Sequence, residues 1–100
     1  MPSLNVAIQH ALGQEEAARR VKGLLERVVE RYQDQVSNLQ HQWIGNAVEF
    51  GFSAMGMSTN GTISVGDDSV VVDGKLPLAA MMFRGKIEET IREQLVRVLS

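Results

Sequence analysis

The chain has no cysteine. That removes disulfides, thiolate metal sites and a cysteine nucleophile together, and it suits a reducing compartment. Neither charge sign dominates: ten basic and twelve acidic residues are interspersed and leave a net charge of −2. A protein that grips phosphate backbones concentrates basic residues on one face. No such block exists here, so no nucleic-acid partner is expected. Long apolar runs are also missing. The longest, LPLAAMMF, falls far short of the ~20 residues of a membrane span and contains Pro77. The opening MPSLNVAIQ has no basic segment and no extended apolar stretch, so it does not read as a signal peptide. The expectation is a cytoplasmic protein with no membrane span.

What remains is globular in composition: 100 residues, 44% hydrophobic and 22% charged. That length fits one domain over residues 1–100, able to bury a core of modest stability. LNVAIQ alternates strictly, with Leu4, Val6 and Ile8 on one face, and predicts a half-buried strand. From Gln14 to about Val36 the period turns helical. Ala17, Val21, Leu24, Leu25, Val28, Val29 and Tyr32 form its apolar stripe. Glu15 and Arg19, and Glu16 and Arg20, are spaced to pair. Gly23 on the outer face costs this helix about 1 kcal/mol against alanine.

Four short alternating segments follow, separated by Gly45-Asn46, Met55-Gly56 and Gly66-Asp67-Asp68. Connections this short favour antiparallel hairpins. Pro77 then suits the first position of a final helix reaching about Leu99. Ala80, Phe83, Ile87, Ile91, Leu95 and Val98 form its buried stripe, and Glu88–Arg92 and Glu93–Arg97 are spaced to pair. The order β-α-β-β-β-β-α predicts an α+β fold, an antiparallel sheet with two helices on one face. The other face would carry Asn5, Gln9, Gln40, Gln42, Ser53, Thr62, Ser64 and Lys75 and meet water. Gly51, Gly61 and Gly74 lie within strands, where they allow close packing or leave a small hollow.

Catalytic patterns are scarce. His10 and His41 are the only histidines, and no H-x-x-x-H or H-x-x-E spacing surrounds them. Both read as structural. Asp67-Asp68 sits in GDDS, which is turn chemistry rather than a shared-cleft acid pair. Arg84-Gly85-Lys86 lacks the upstream glycine and the following Ser/Thr of a phosphate loop. No enzyme signature, catalytic residue, metal site or cofactor site is expected.

One feature stands out at the start of the last helix. On a continuous helix Leu78 lies about 160° and Met82 about 200° from the buried stripe, with Met81 at about 100°. An apolar cluster on a wet side needs a cover or a partner, and methionine adapts to varied apolar surfaces. Two readings stand: Leu78 and Met82 pack on the first helix or the loop before it, or they meet a partner. Met55 and Met57 would extend the cluster if their turn is near.

Several stretches then resemble one family. They are LGQEEAARR, W-x-G-N at Trp43 to Asn46, EFGFSAMG at Glu49 to Gly56, GTISVGDDSVVVDGKLP at Gly61 to Pro77, and AAMMFRGKIEETI at Ala79 to Ile91. In order and spacing the chain is similar to the polyhydroxyalkanoic acid system family, small bacterial proteins encoded beside polyhydroxyalkanoate storage genes. Gly23 is a departure. The resemblance implies an accessory role, non-enzymatic, in granule association, assembly or regulation. Joined to that role, the apolar cluster read from helix phase gives Leu78, Met81, Met82, Met55 and Met57 as the expected contact with the polyhydroxyalkanoate granule surface or granule-associated proteins. Two other readings remain: a helix-grip-like carrier of a small apolar or acyl ligand, and a hydroxyacyl-directed hydrolase or isomerase seeded by His41 and a carboxylate. A homodimer through a free sheet edge or apolar helix face fits any of them.

Overall fold

The computed structural model describes residues 3–54, 56–76 and 78–100, leaving aside the side chains of Ala54, Leu78 and Ala79. The elements are β1 (Ser3–Gln9), α1 (Gln14–Tyr32), β2 (Ser37–Ile44), β3 (Ala47–Ala54), β4 (Met57–Val65) and β5 (Ser69–Lys75). A 3₁₀ segment, Leu78–Phe83, then leads into α2 (Arg84–Leu99). The five strands form one antiparallel sheet in the order β1-β5-β4-β3-β2. α1 therefore carries the chain from one edge strand to the other, and a meander returns it to lie beside β1. This is the α+β arrangement expected from the sequence.

Alternation sets the faces. Leu4, Val6 and Ile8 of β1 sit opposite Gly74, Val72 and Val70 of β5, and Ile63 and Val65 of β4 continue the row to Val48 of β3. Leu4 and Gly74 apart, these strand residues form one buried core with Ala17 and Val21 of α1 and with Leu95 and Leu99 of α2. Both helices thus cover the same face. Asn5, Gln40, Gln42, Asn60 and Ser64 emerge exposed on the other face. Burial along α1 fades toward its C-terminus. Ala17 and Val21 are fully buried, but Val28 and Tyr32, read as part of the stripe, are 40% and 41% exposed. Periodicity marks which side of a helix is apolar; it does not say how far the partner surface extends.

Glycine decides one packing detail. A Cβ on Gly61 would lie 2.5 Å from the Asp73 carbonyl and 2.6 Å from Cζ of Phe50. The Phe50 ring therefore fills the space over Gly61, where a hollow was one reading, and close packing was the other. Gly45 has φ +62 while Asn46 is not in the left-handed region. That is the II′ pattern of a two-residue hairpin. Gly23 meets only Nη1 of Arg27, at 3.7 Å from the position of an added Cβ.

Side-chain hydrogen bonds tie remote segments together. Glu16 accepts from Arg19 at 2.5 Å and from Arg20 at 2.9 Å. The bonds from Arg19 and then Arg20 hold its carboxyl below the usual range. Arg19 was expected to pair with Glu15. Glu16 takes it instead, because i,i+3 neighbours are also within reach. Arg20 also donates to the carbonyls of Val98 and Ser100, and so binds the C-terminal end of α2 to α1. At the other end of α1 the N-cap residue is Gly13, which offers no side chain. Asp67 Oδ1 accepts from Gln14 N–H in its place, at 3.2 Å. Gln14 Nε2 donates to Val65 O, and His10 N–H donates to Asp68 O. Leu12 N–H donates to His10 Nδ1 at 3.1 Å, so Nε2 carries the proton and donates to Gly66 O at 3.2 Å. His10 is a structural histidine, and the GDDS turn is the cap of a helix far away in sequence.

This packing sets the expected response to four substitutions. Gly61→Ala should lower unfolding free energy by about 3 kcal/mol or more, because backbone and ring must both move, whereas Gly23→Ala should raise it by about 0.5–1 kcal/mol. Asp67→Ala should cost about 1 kcal/mol through the lost cap, and Asp67→Asn should recover most of it, since an amide oxygen still accepts. Urea unfolding of the four variants checks all of these values.

Candidate functional site

The 3₁₀ segment Leu78–Phe83 is where the sequence expectation and the structure differ most. A single helix was expected from Pro77 onward, with Phe83 buried and Met82 turned outward. Pro77 lies outside the described residues. Phe83 instead has φ −101 and ψ 7 and stands as the N-cap of α2. A residue outside helical geometry breaks the phase between Ala80 and Ile87, so the stripe does not run through it. Phe83 is 58% exposed, Met81 53% and Met82 85%. The buried stripe of α2 starts later, with Ile87 and Ile91 half-buried and Leu95 and Leu99 buried.

Met81, Met82 and Phe83 are thus three consecutive exposed apolar residues. Met57 is half-buried at the start of β4. Because Gly61 pairs with Gly74, that start lies at the end of the sheet where β5 leads into the 3₁₀ segment. Met55 and the side chain of Leu78 lie outside the described residues. Phe83, expected in the core from the helical period, is exposed. The sequence carries no signal for this start: no Ser, Thr, Asp or Asn stands just before Arg84 to cap a helix there.

The start of α2 breaks several local rules at once. Phe83 makes no side-chain cap, and the first turn holds no acid. Arg84 and Lys86 stand at the positive end of the helix dipole, where cations are unfavourable. Gly85, at the second helical position, weakens it further, and nothing lies within 4 Å of where its Cβ would be. Glu88, 3.6 Å from Arg84 Nε, offsets one of these charges. Conflicts between local preference and observed structure concentrate at functional sites.

Other candidates separate rather than converge. His10 follows β1 and His41 lies on β2, so the two histidines stand at opposite edges of the sheet. His41, read as a satisfied structural residue, is exposed on its edge strand. A shallow depression of about 410 Å³ on the polar face is bordered by His41, Glu49, Gly51, Asn60 and Thr62. His41 is in register with Phe50 and Glu49 with Gln42, so the imidazole and carboxylate leave opposite faces of the sheet. A second depression, of about 610 Å³, is lined by Leu12, Gln14, Glu15, Glu16, Arg19 and Asp67. Glu15 apart, its polar groups are those that cap α1 and pair along it. Among the described residues no helix is long and apolar enough to cross a membrane.

Comparison with known proteins gives one strong result. A search of curated proteins returns no match. Among solved structures, the chain is similar to the crystal structure of TTHA0849 from Thermus thermophilus. The identity is 15%, over 98% of this chain and 94% of that one, with a TM-score of 0.42. A superposition that loose carries no functional argument. The family model described as "Putative polyhydroxyalkanoic acid system protein" matches residues 4–99, from the first core residue of β1 to the last of α2. The chain belongs to the polyhydroxyalkanoic acid system protein family.

Proposed function

We propose that this chain is a non-enzymatic accessory protein of the polyhydroxyalkanoate system, acting by attachment to the granule surface or to a protein on it. The observation that carries the reading is the exposed group Met81, Met82 and Phe83. It sits at a helix start that local stability alone would not choose. A polyester granule offers a broad apolar surface. Covering these three side chains removes about two full side chains' worth of apolar surface from water, on the order of 3–6 kcal/mol before association costs. That magnitude supports reversible adsorption rather than permanent anchoring. Exposed Arg84 and Lys86 flank the group and would face carboxylate or phosphate groups at such a surface. The family membership supplies the system, and the apolar group supplies the contact.

Flotation with native polyhydroxyalkanoate granules tests this. The Met81→Ser/Met82→Ser variant should bind at least about tenfold more weakly than the unaltered chain, because each lost contact is worth more than about 1 kcal/mol. Circular dichroism should stay unchanged, since both residues are exposed. Equal binding by the two proteins would remove the 3₁₀ segment from the account. Absence of binding by the unaltered chain would remove the granule.

A further inference from the structure

We infer that the free edge of β2 is a self-pairing surface. Two copies of the chain would join β2 to β2 antiparallel about a two-fold axis at Gln42, making one continuous sheet.

The two edges of the sheet are treated differently. On the β1 edge, side chains of α2 occupy the backbone. Asn5 N–H donates to Glu88 Oε2, and Arg92 donates to Ala7 O, each at 3.3 Å. Glu88 and Arg92, spaced to pair with each other, are drawn apart to block that edge. On the β2 edge, among the described residues, no side chain of another element bonds the backbone of SNLQHQWI. The strand also contains no Lys, Arg, Asp, Glu or Pro. Those are the residues by which edge strands resist pairing.

The register follows from the strand itself. Regular pairing with β3 is interrupted between Ser37 and Gln40, where Asn38 has φ 55. The regular stretch is therefore Gln40–Ile44, with Gln42 at its centre. Ile44 and Ala47 close a two-residue hairpin and exchange both bonds, and bonded pairs alternate along the strand. The N–H and C=O groups of His41 and Trp43 therefore point away from β3. An axis at Gln42 sets His41 against Trp43 of a second copy and the reverse, giving about four inter-strand hydrogen bonds. On the polar face it sets Gln40 beside Ile44 of the other copy, which covers an isoleucine now 56% exposed. No charge opposes a like charge, as an isologous contact requires. An edge this short buries less than the ~1,200 Å² of standard interfaces, so the dimer is weak and concentration-dependent.

Because the chain has no cysteine, Gln42→Cys gives a single thiol at the axis. A non-hydrogen-bonded antiparallel pair brings the two Cα atoms to about 4.5 Å, within disulfide reach. With oxidised glutathione, Gln42→Cys should form disulfide dimers at least about tenfold faster than Ser64→Cys, whose exposed side chain lies on the same face of an interior strand. Sedimentation of the unaltered chain over about a hundred-fold concentration range should show growing dimer. Gln42→Lys should lower the dimer fraction at least about tenfold while leaving circular dichroism unchanged. Equal cross-linking of both cysteine variants, a monomer at every concentration, or a dimer indifferent to Gln42→Lys would each overturn the proposal.

Discussion

A five-stranded sheet with one apolar face must bury that face, and this chain has two helices with which to do it. Most of the structure is a consequence of how they are seated. Val6, Ile8, Val48, Ile63, Val65, Val70 and Val72 present a nearly continuous apolar surface, and Ala17, Val21, Leu95 and Leu99 close over it. Small residues at 17 and 21 let α1 come close; leucines at 95 and 99 reach down from α2. The position of the helices is then held by polar contacts at their ends. Arg20 takes carbonyls at the C-terminal end of α2, Asp67 takes the first amide of α1, and Glu88 and Arg92 fasten α2 to the β1 edge. Each joins segments far apart in the chain, so they fix the tertiary arrangement rather than local structure.

Seating both helices this way leaves the molecule uneven. The β1 side is closed by α2. The β2 side keeps a bare edge, and Val28 and Tyr32 at the far end of α1 remain partly exposed. The chain entering α2 must pass from the end of β5 through a 3₁₀ turn, and that turn projects Met81, Met82 and Phe83 into solvent.

The element order was legible in the residues because their periods are clean. Leu4-Val6-Ile8 and Ile63-Val65 alternate with polar neighbours, and the α1 stripe repeats at helical spacing. Fold class and the shared helix face followed from that. Helix phase across Phe83 did not, since periodicity assumes an unbroken helix and gives no warning when one residue leaves helical geometry. Partners of charged side chains were only partly legible. Glu88 and Arg92 have ideal spacing to pair, yet both turn to exposed β1 backbone, a tertiary neighbour that spacing along one helix does not reveal. The role of Asp67 as a helix cap was hidden for the same reason: its helix begins 53 residues away. Met82 was legible as an apolar residue on a wet side; the exposure of Phe83 was not.

If the exposed group meets the apolar surface on which the family's system is built, its methionines must report the contact. Methionine methyl NMR tests this most directly. With ¹³C-methyl methionine, the spectrum of the chain is recorded with and without polyhydroxyalkanoate granules. The Met81 and Met82 signals are predicted to broaden or vanish on adding granules, while the half-buried Met57 changes less. Unchanged Met81 and Met82 signals, in a chain that still sediments with granules, would contradict the assignment of this group as the contact.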